Sequence, residues 1–585
     1  MAEAIHWDTG DGRPELALIT NHGYAGVQIP VGGAADTGGQ NFYVNSLALA
    51  LEQLGYRVTI IARGGFPFFE SNRLREGQEL LSTHVRYLYV PGGGDEFIRK
   101  EDIAVTLDEE VEWLDGWIRA EAKARGCAPW EVFELVNTHY WDAAVMGVRL
   151  VERWRADQAM TILDALLEGV VSDAALEKVR ADRHYSGLGE SMPFVAGRLL
   201  LQATGSATET PAERAGAAFA IWARQRATAG LDATAVGEQA GELAASLSPA
   251  LGAMAAAKVL GTAVLSAWDP VGERVERDFG AVDRHVWTPH SLGALKEENF
   301  RDKSPEVVRT LKFCERRAHE RAVCHATGFF AATSEEIAER LHSQFDVPVE
   351  AMFYFPPCVD RELFRAYSDA ELAAVYDYLA ERSGVAVDTL KAGKIVFETS
   401  RMDRTKRKDL LLAAFGRVAR EVDNCYLFIG GGPESSPLYA ELKRQWEADP
   451  VLKARACLLG FIPEEHLAPM FSLADVFASA SEMEGFGMSA CQAAGSGVAC
   501  VLSDLIPFGV QYAADAAILF RAGDEAALAA GIRELLTDDE GRRVRAAKLA
   551  ELTRALDWES VSQAFLDHLR RAGLSVAPGK ESPDP

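Results

Sequence analysis

The sequence predicts an α/β protein built from two doubly wound, mostly parallel β-sheets. One reason is length, because 585 residues exceed what a single hydrophobic core supports. A second reason is the order of segments near the start: the apolar run LALIT at 16–20, the glycine-rich loop GGAADTGGQ, an apolar helical pattern that ends at Gly55, and the apolar run RVTIIA at 57–62. Strand, loop, helix and strand make a βαβ unit, whose ligand crevice lies at the carboxyl ends of its strands.

The third reason is that the same order returns in the second half. The first half continues with strand-like runs at 85–90, 133–140 and 285–291. The second half has such runs at 394–400, 425–432, 456–461, 475–481 and 498–504, with helical patterns between them. We therefore assign residues 1–360 to a first domain and residues 361–570 to a second, and we predict a disordered tail at 573–585.

Between 156 and 283 this α/β order stops, and alanine-rich helical patterns replace it. Thr210, Pro211 and Glu213 have the types and spacing of a helix start, and Gly230 is typical of a helix end. We interpret the segment as a helical insertion in the first domain that forms a lid or an oligomer contact. Its most apolar run, at 251–268, contains Lys258, which favours a packed helix over a membrane span.

Composition and charge argue against several classes of function. A net charge of −26 disfavours a nucleic-acid surface, which needs clustered cations. The eight cysteines show no C-x-x-C spacing and fit buried thiols in a reducing compartment. The first residues lack the basic and apolar regions of a signal peptide. We expect a cytoplasmic protein with no stable membrane insertion, and homo-oligomer formation stays open.

The glycine-rich loop of the first half can bring a ligand close to the backbone. Gly38 and Gly39 remove side chains ahead of a predicted helix, whose N-terminus offers free N–H groups. Gln40 adds a donor and an acceptor. The loop alone is equally consistent with a structural turn. It is not the G-x-G-x-x-G pattern, and no acidic residue ends the next strand, which disfavours a nicotinamide enzyme.

A basic loop, SRMDRTKRKD, follows the first strand of the second half. Arg401 lies just past that strand and Lys406 just before a predicted helix, so both cations are expected at the edge of the cleft. Arginine as a flat fork and lysine as a point charge suit a pyrophosphate. We interpret Arg404, Arg407 and Lys408 as a solvated basic turn.

The stretch SEMEGFGMSACQ follows the strand at 475–481. It places Glu484 at the carboxyl edge of the sheet, where a carboxylate can accept hydrogen bonds from sugar hydroxyls. Gly485 and Gly487 leave backbone amides open, and a helix from about Met488 points its N-terminus at the same place. Gln492 lies one turn further on, where its amide can accept a hydrogen bond from one ribose hydroxyl and donate one to the other.

Together these motifs resemble those of the retaining glycosyltransferases of family 4, which have the GT-B fold, and most of all the sucrose-phosphate synthase and sucrose synthase group. The resemblance spans nearly the whole chain outside the insertion, which has no counterpart in that group. It implies two Rossmann-like domains that face a cleft, with the last helix crossing back to the first domain. The stretches that carry it are DTGGQNFYVNSLALALEQLGYRVTIIAR, VPGGGDEFIRKEDI, THYWDAAVMGV, TPHSLGALK, SRMDRTK, EMEGFGMSACQ and LDWESVSQAFLDHL.

The resemblance implies a role for each matching residue on the donor side. Arg401 and Lys406 would hold the diphosphate of a nucleotide sugar and stabilise it as it leaves. Glu484 would hold the hydroxyls of the donor sugar, and Gln492 stands where the family usually has a ribose-binding glutamate. The implied donor-binding residues are Gly39, Arg401, Lys406, Glu484, Gly485, Phe486, Gly487 and Gln492.

On the acceptor side the resemblance implies a pocket in the first domain. His290, or less readily His139, would offer its backbone carbonyl or ring near the anomeric carbon, and the leaving phosphate itself would take the proton of the acceptor. His139 is equally consistent with a structural role, and Arg316 with a surface cation. The implied catalytic residues are His290, Glu484, Arg401 and Lys406, and the implied acceptor-binding residues are Gly39, Gln40, Lys100, His139, Tyr140, Ser291 and Arg316.

Two positions depart from the pattern of the family. Gln492 replaces a glutamate, for which we expect nucleotide binding weaker by about 1 kcal/mol, the net worth of one hydrogen bond. Glu96 stands where sucrose-phosphate synthases have a lysine that helps to hold the acceptor phosphate, so a phosphorylated acceptor rests on Lys100 and Arg316.

The function predicted is transfer of a hexose, with retention, from a nucleotide diphosphate sugar to a small sugar, sugar phosphate or polyol. UDP-glucose is the donor we put first, and GDP-mannose and ADP-glucose stay open. We expect no cofactor beyond this donor and no bound metal, since the sequence has no D-x-D motif and no His/carboxylate ligand set. The alternatives are a non-catalytic nucleotide-sugar-binding or scaffold relative, which Gln492 favours, and a GT-B phosphorylase that uses inorganic phosphate.

Overall fold

The computed structural model describes residue 7 and residues 10–30, 36–167, 284–298, 305–574 and 576–580. These residues form two β-sheets, one in each half of the chain. The strands of the first sheet are β1 (Glu15–Thr20), β2 (Arg57–Gly64), β3 (Gly77–Leu80), β4 (Val85–Pro91), β5 (Leu135–His139), β6 (His285–Thr288), β7 (Phe329–Ala332) and β8 (Met352–Tyr354). The strands of the second sheet are β9 (Lys394–Thr399), β10 (Cys425–Gly430), β11 (Ala456–Gly460), β12 (Val476–Ser479), β13 (Ala499–Ser503) and β14 (Ile518–Phe520).

The strand order is that of doubly wound sheets. The first sheet runs β3-β4-β2-β1-β5-β6-β7-β8 and the second β11-β10-β9-β12-β13-β14. Within the described ranges only β3 and β4 pair antiparallel. In each sheet the order reverses beside the first strand, β1 or β9, and ligands bind at such a switch point, at the carboxyl ends of the strands. The α/β architecture predicted from the sequence is confirmed.

Helices connect the strands and cover both sheets. In the first half they are α1 (Gly39–Gln53), α2 (Leu107–Arg125), α3 (Tyr140–Leu167), α4 (Gly293–Glu298), α5 (Pro305–Thr310), α6 (Phe313–Ala326) and α7 (Glu335–Phe345). In the second half they are α8 (Ala373–Ser383), α9 (Val387–Ala392), α10 (Lys408–Glu421), α11 (Pro437–Ala448), α12 (Pro450–Arg455), α13 (Glu464–Leu473), α14 (Met488–Gly495), α15 (Glu525–Thr537), α16 (Asp539–Leu552) and α17 (Trp558–Arg571).

The central strands are continuous apolar runs because both of their faces are covered. In β1, Ala17 and Ile19 belong to the core on one face of the first sheet, while Leu16 and Leu18 belong to the core on the other. The strands of the second sheet are divided between two cores in the same way. Side chains alternate between the two faces of a strand, so a strand buried on both faces reads as an unbroken apolar run.

The last helix, α17, packs on the first domain although it follows the second. Trp558, Phe565 and Leu569 lie in the core beneath α1, and the Trp558 ring meets Tyr43 edge-on at 4.8 Å between ring centroids. The chain therefore passes twice between the two sheets.

The prediction of a disordered tail is wrong for residues 573, 574 and 576–580. Leu574 and Val576 are buried in the core of the first domain. Tyr56 donates a hydrogen bond to the carbonyl of Ala577 at 2.8 Å, and the amide of Lys580 donates to Gly55 at 3.0 Å. The two apolar side chains anchor a stretch whose composition otherwise favours disorder. Residues 581–585 lie outside the described residues.

The predicted insertion at 156–283 also lies outside the described residues, except that 156–167 continue α3. None of the helices in the described part has the length and hydropathy that a bilayer span requires. The run at 251–268 lies outside the described residues.

Candidate active site

The N-termini of two helices from different domains meet in the cleft. A Cβ atom on Gly39, the first residue of α1, would lie 3.3 Å from Sδ of Met488, the first residue of α14. A Cβ atom on Gly485 would lie 3.8 Å from the backbone carbonyl oxygen of His290. The glycine loops of the two halves therefore face each other, and a ligand between them contacts both domains.

Arg401 stands apart from the other cations of its loop. It is exposed, and the described part of the chain provides no ion pair for it. Arg404 binds Glu441 at 2.7 Å, and Arg407 binds Asp409 at 3.2 Å. Arg404 and Arg407 are thus held in ion pairs near the surface, while the guanidinium of Arg401 is free to meet an anion.

Lys406 and Glu484 are brought together, as the motifs predicted for one site. Lys406 is buried, and its Nζ lies 2.6 Å from Oε1 of Glu484 and donates to the carbonyl of Met483 at 3.2 Å. A buried ammonium needs such partners. Because Glu484 is only partly buried, both groups reach the cleft.

Lys408 is not part of a solvated turn, so that interpretation of the sequence is wrong. Its side chain is fully buried, with Nζ 2.6 Å from Glu398, and it donates to the carbonyls of Gly430 at 2.8 Å and Ser400 at 3.1 Å. It thereby fixes the loop of Arg401 and Lys406 on the ends of β9 and β10. The sequence feature that could have indicated this is Glu398, because a carboxylate inside the apolar strand KIVFETS requires a buried cation as its partner.

The loop before α14 leaves the N-terminus of that helix open. Gly487 has φ +102°, and a Cβ atom there would lie 2.5 Å from Cγ2 of Ile506, so only glycine fits. No side chain caps the helix, and its first turn has no acidic residue. The Phe486 ring packs on Phe508 at 5.9 Å between centroids, and its carbonyl accepts from the Phe508 amide at 2.7 Å. The uncapped N–H groups and the helix dipole make this end suited to a phosphate.

Gln492 lies on the second turn of α14 and is half-buried. Its side-chain amide makes no hydrogen bond within the described part of the chain, although its backbone carbonyl accepts from Ser496. An amide with two unused donors and an acceptor beside an open helix N-terminus is available to a ligand.

Gln40, in contrast, is already engaged. Its Nε2 donates to Oγ1 of Thr20 at 3.1 Å and to the carbonyl of His139 at 3.3 Å. These acceptors stand side by side because β1 and β5 pair with Thr20 opposite His139. Gln40 ties together the carboxyl ends of two strands, and its amide oxygen is the part left for a ligand.

His139 and His290 form a neutral pair. Nδ1 of His139 lies 3.0 Å from Nε2 of His290, and the Tyr43 ring packs edge-on against His290. Burial lowers the pKa of His139 to about 3, and burial together with the charge of His139 lowers the pKa of His290 well below 6.5. Nε2 of His139 is buried without a partner among the described residues. Because an unpaired N–H costs more than an unpaired lone pair, we assign the proton of His139 to Nδ1, which donates to His290.

Tyr140 carries a cluster of cations on its hydroxyl. Arg316 donates to this oxygen at 2.5 Å and Lys296 at 2.8 Å. Although burial opposes ionisation, the charges of Arg316, Lys296, His22 and Lys100 lower the pKa of Tyr140 to about 7. The sequence analysis did not predict a role for Lys296. The feature that could have indicated one is its position at the end of TPHSLGALK, on the short helix α4 that follows Ser291.

Arg316 is buried and is no surface cation. Its Nε lies 2.7 Å from Glu320, and its Nη2 donates to the carbonyl and the hydroxyl of Ser291 at 2.6 and 3.2 Å. Lys100 is held by a close hydrogen bond to Asp36. Glu96 is exposed and forms no ion pair within the described part of the chain. Arg316 thus contacts both Tyr140 and Ser291, and the positive charge of Lys100 acts on Tyr140.

Residues 387–551 match the family model described as glycosyl transferases group 1. This part of the chain is a glycosyltransferase group 1 domain. It contains Arg401, Lys406, Glu484 and Gln492. For this range, the glycosyltransferase domain predicted from the motifs is confirmed.

Among curated proteins, the chain is similar to mannosylfructose-phosphate synthase of Agrobacterium fabrum, with 23% identity over 501 residues, 84% of this chain and 76% of that protein. It is also similar to D-inositol 3-phosphate glycosyltransferase of Corynebacterium efficiens, with 25% identity over 280 residues, 47% of this chain and 63% of that protein.

Among solved structures, sucrose-phosphate synthase of Thermosynechococcus elongatus superposes with a TM-score of 0.57 at 18% identity, over 96% of this chain and 99% of that one. HepE of Anabaena, in complex with UDP and glucose, superposes with a TM-score of 0.50 at 12% identity, over 95% and 100% of the two chains. The glycosyltransferase has the GT-B fold, as predicted.

Proposed function

We propose that this glycosyltransferase transfers a hexose, with retention of configuration, from a nucleotide diphosphate sugar to a phosphorylated sugar. The observation that supports this most is the placement of two groups of cations across one cleft. Arg401 and Lys406 stand on the second domain beside the open end of α14, and Lys296 and Arg316 stand on the first. Two phosphate-binding groups that face each other suit a donor and an acceptor that each carry phosphate.

On the donor side, the leaving diphosphate gains negative charge as its bond to the sugar breaks. Arg401, Lys406 and the N-terminus of α14 stabilise this charge, and a preorganised arrangement of this kind is a large source of rate enhancement. The carboxylate of Glu484 accepts hydrogen bonds from the sugar hydroxyls once the phosphate shares Lys406.

Retention without a side-chain nucleophile fits the chemistry of the groups in the cleft. Glu484 is already ion-paired with Lys406, and the two neutral histidines have no proton to spare for acid catalysis near pH 7. The leaving phosphate is then the group that takes the proton of the acceptor hydroxyl on the face from which it departs. The backbone carbonyl of His290, opposite Gly485, lies where positive charge develops on the sugar.

The donor we propose first is UDP-glucose. GDP-mannose is the second candidate, because a relative with 23% identity over 501 residues is named mannosylfructose-phosphate synthase. That name and the name D-inositol 3-phosphate glycosyltransferase of a further relative both include a phosphate, which supports a phosphorylated acceptor here.

The test is an assay of the full-length protein with UDP-glucose, GDP-mannose and ADP-glucose, each alone and with fructose 6-phosphate, fructose or an inositol phosphate. We expect nucleoside diphosphate release with one donor, dependent on a phosphorylated acceptor, and an α-linked product by NMR. Binding of nucleotide sugars without turnover by any acceptor favours the non-catalytic alternative. Sugar phosphate formed from a glycoside and inorganic phosphate favours a phosphorylase.

A further inference from the structure

The hydroxyl oxygen of Tyr140 is surrounded by hydrogen-bond donors. Arg316 Nη1 and Lys296 Nζ both donate to it, and neither group can accept a hydrogen bond. No atom of the described ranges accepts a proton from this oxygen. An oxygen that only accepts hydrogen bonds suits a phenolate, because a phenol would leave its own proton without a partner.

An ionised Tyr140 gives Lys296 a negatively charged partner. Lys296 has no carboxylate within ion-pair distance among the described residues, so Tyr140 is its polar partner. Arg316 and Lys100 already have carboxylate partners, in the pairs Arg316–Glu320, Lys100–Asp36 and Lys100–Glu101. A doubly negative phosphate that enters this pocket must therefore compete with the negative charge of Tyr140 for Arg316 and Lys296.

Tyr140 cannot make room by turning away. Its ring is packed between His22, at 4.4 Å between centroids, and the guanidinium of Arg316, at 4.4 Å from the ring centre. Its backbone has φ +78°, a costly conformation for a tyrosine, and its carbonyl accepts from the indole of Trp287 at 3.1 Å. Backbone strain at such a position persists where the surroundings fix the residue. The phenolate is therefore held in place beside the two cations.

We propose that phosphate binding in this pocket is coupled to proton uptake by Tyr140. The phosphate oxygens take the hydrogen bonds of Arg316 and Lys296, and Oη of Tyr140 takes one proton from solvent. The proton returns to solvent when the phosphate leaves. This inference rests on the proposed phosphorylated acceptor and states how its binding is regulated.

The electrostatics of the neighbouring groups place this exchange near neutral pH. The pKa of Tyr140, about 7, results from burial, which raises it, and the facing cations, which lower it. Phosphate occupying those cations removes their effect and favours the protonated phenol. The titratable and charged groups that face Tyr140 are His22 after β1, Asp36 and Lys100 from two loops, Asp142 on α3, Lys296 on α4, and Arg316 and Glu320 on α6.

The coupling has a kinetic consequence. Above the midpoint of Tyr140, the KM for a phosphorylated acceptor rises by up to about tenfold per pH unit, because binding must then include the uptake of one proton. The kcat value stays nearly flat, since the exchange belongs to binding and not to bond cleavage.

The test is a spectroscopic titration of the full-length protein, in which the near-ultraviolet absorbance of tyrosinate is followed from acid to alkaline pH. Ordinary tyrosines ionise near pH 10, so one early transition stands out from the 14 tyrosines of the chain. We expect one early midpoint near neutral pH, absent from Tyr140→Phe and raised by at least about one pH unit in Lys296→Gln, which loses a facing cation. Saturating inorganic phosphate should raise the midpoint of the unmodified protein.

Two results overturn the proposal. If no tyrosine ionises below about pH 9, the phenolate does not exist. If the early transition is present but phosphate leaves it unmoved, the coupling fails, and the transferase proposal remains with an uncharged acceptor. If Tyr140→Phe does not fold, the titration of Lys296→Gln still tests the proposal, because it is compared with that of the unmodified protein.

Discussion

The two sides of the cleft differ in how far their polar groups are already satisfied. On the second domain, the side chains of Arg401 and Gln492 have no hydrogen-bonding or ion-pair partner within the described ranges, and the N-terminus of α14 is uncapped. On the first domain, Gln40 already donates a hydrogen bond to Thr20, and Arg316 already donates to Tyr140 and Ser291. The donor side therefore presents polar groups that are available to a ligand, whereas an acceptor must displace hydrogen bonds within the first domain. Substitution of Arg401 or Gln492 should affect ligand binding or activity but not stability, and changes on the acceptor side should affect binding and stability together.

The largest expected effect concerns the support beneath the donor side. Lys408→Met leaves Glu398 buried without its cation, and breaking a buried pair costs about 3–5 kcal/mol of the free energy of unfolding. Denaturant unfolding measures this. The double variant Lys408→Met/Glu398→Leu should recover most of the loss, and Lys394→Met, whose pair with Asp539 is exposed, should cost about 1 kcal/mol or less. Equal losses in Lys408→Met and Lys394→Met contradict the role of the buried pair.

A nearly equal effect, on activity and not on folding, is expected at the diphosphate. Arg401→Ala removes an exposed cation with no ion pair in the described structure, so kcat/KM should fall by about 10²–10³-fold while the melting temperature stays unchanged. Arg404→Ala removes a cation of the same loop that is tied to Glu441, so it is the matched control and should retain activity. Similar activities of the two variants remove Arg401 from the site.

An intermediate effect is expected from the histidine pair. The pKa of His139 is lowered, so the unfolded chain binds a proton below pH 6.5 that the folded chain does not. The stability that this group provides is complete above pH 6.5 and is lost as the pH falls toward 3, by about 1.4 kcal/mol per pH unit. Unfolding free energies measured from neutral pH to about pH 5.5 should show a smaller slope in His139→Gln than in the exposed-site control His325→Gln. Parallel slopes contradict the burial of a neutral His139.

The smallest effect is expected at Gln492. Gln492→Glu should tighten nucleoside diphosphate binding by about 1 kcal/mol, because a carboxylate can accept hydrogen bonds from both ribose hydroxyls. Gln492→Leu should weaken it by a similar amount. Isothermal titration calorimetry with UDP and GDP measures both. Weaker binding in both variants shows that the native amide donates a hydrogen bond that a carboxylate cannot replace.

The sequence predicted those features that depend on local pattern. The unbroken apolar runs of β1 and β9 identified strands buried on both faces, and the turn residues after them located the loops of the site. Lys406 and Glu484, far apart in the chain, were predicted at one site because the carboxyl ends of parallel strands meet at one sheet edge. The structure places them 2.6 Å apart.

Features that depend on packing between distant segments escaped prediction. In the sequence, Lys408 resembles its solvated neighbours, and only the structure shows that it pairs with the buried Glu398. In the same way, only the structure shows that Lys296 donates to the hydroxyl of Tyr140. Leu574 and Val576 are two apolar residues in a stretch whose composition favours disorder, and only the core of the first domain explains their order. The positive φ of Tyr140 carries no sequence signal at all.

The most direct measurement of the central claim compares kcat/KM for fructose 6-phosphate with that for fructose, using the donor that the protein turns over. Charge-assisted hydrogen bonds contribute about 1.5–3 kcal/mol each, so the two from Lys296 and Arg316 predict a preference for the phosphorylated acceptor of about 10²-fold or more. We expect Lys296→Met to reduce that preference by at least about tenfold. Equal use of both acceptors by the unmodified protein would contradict a phosphate site on the first domain.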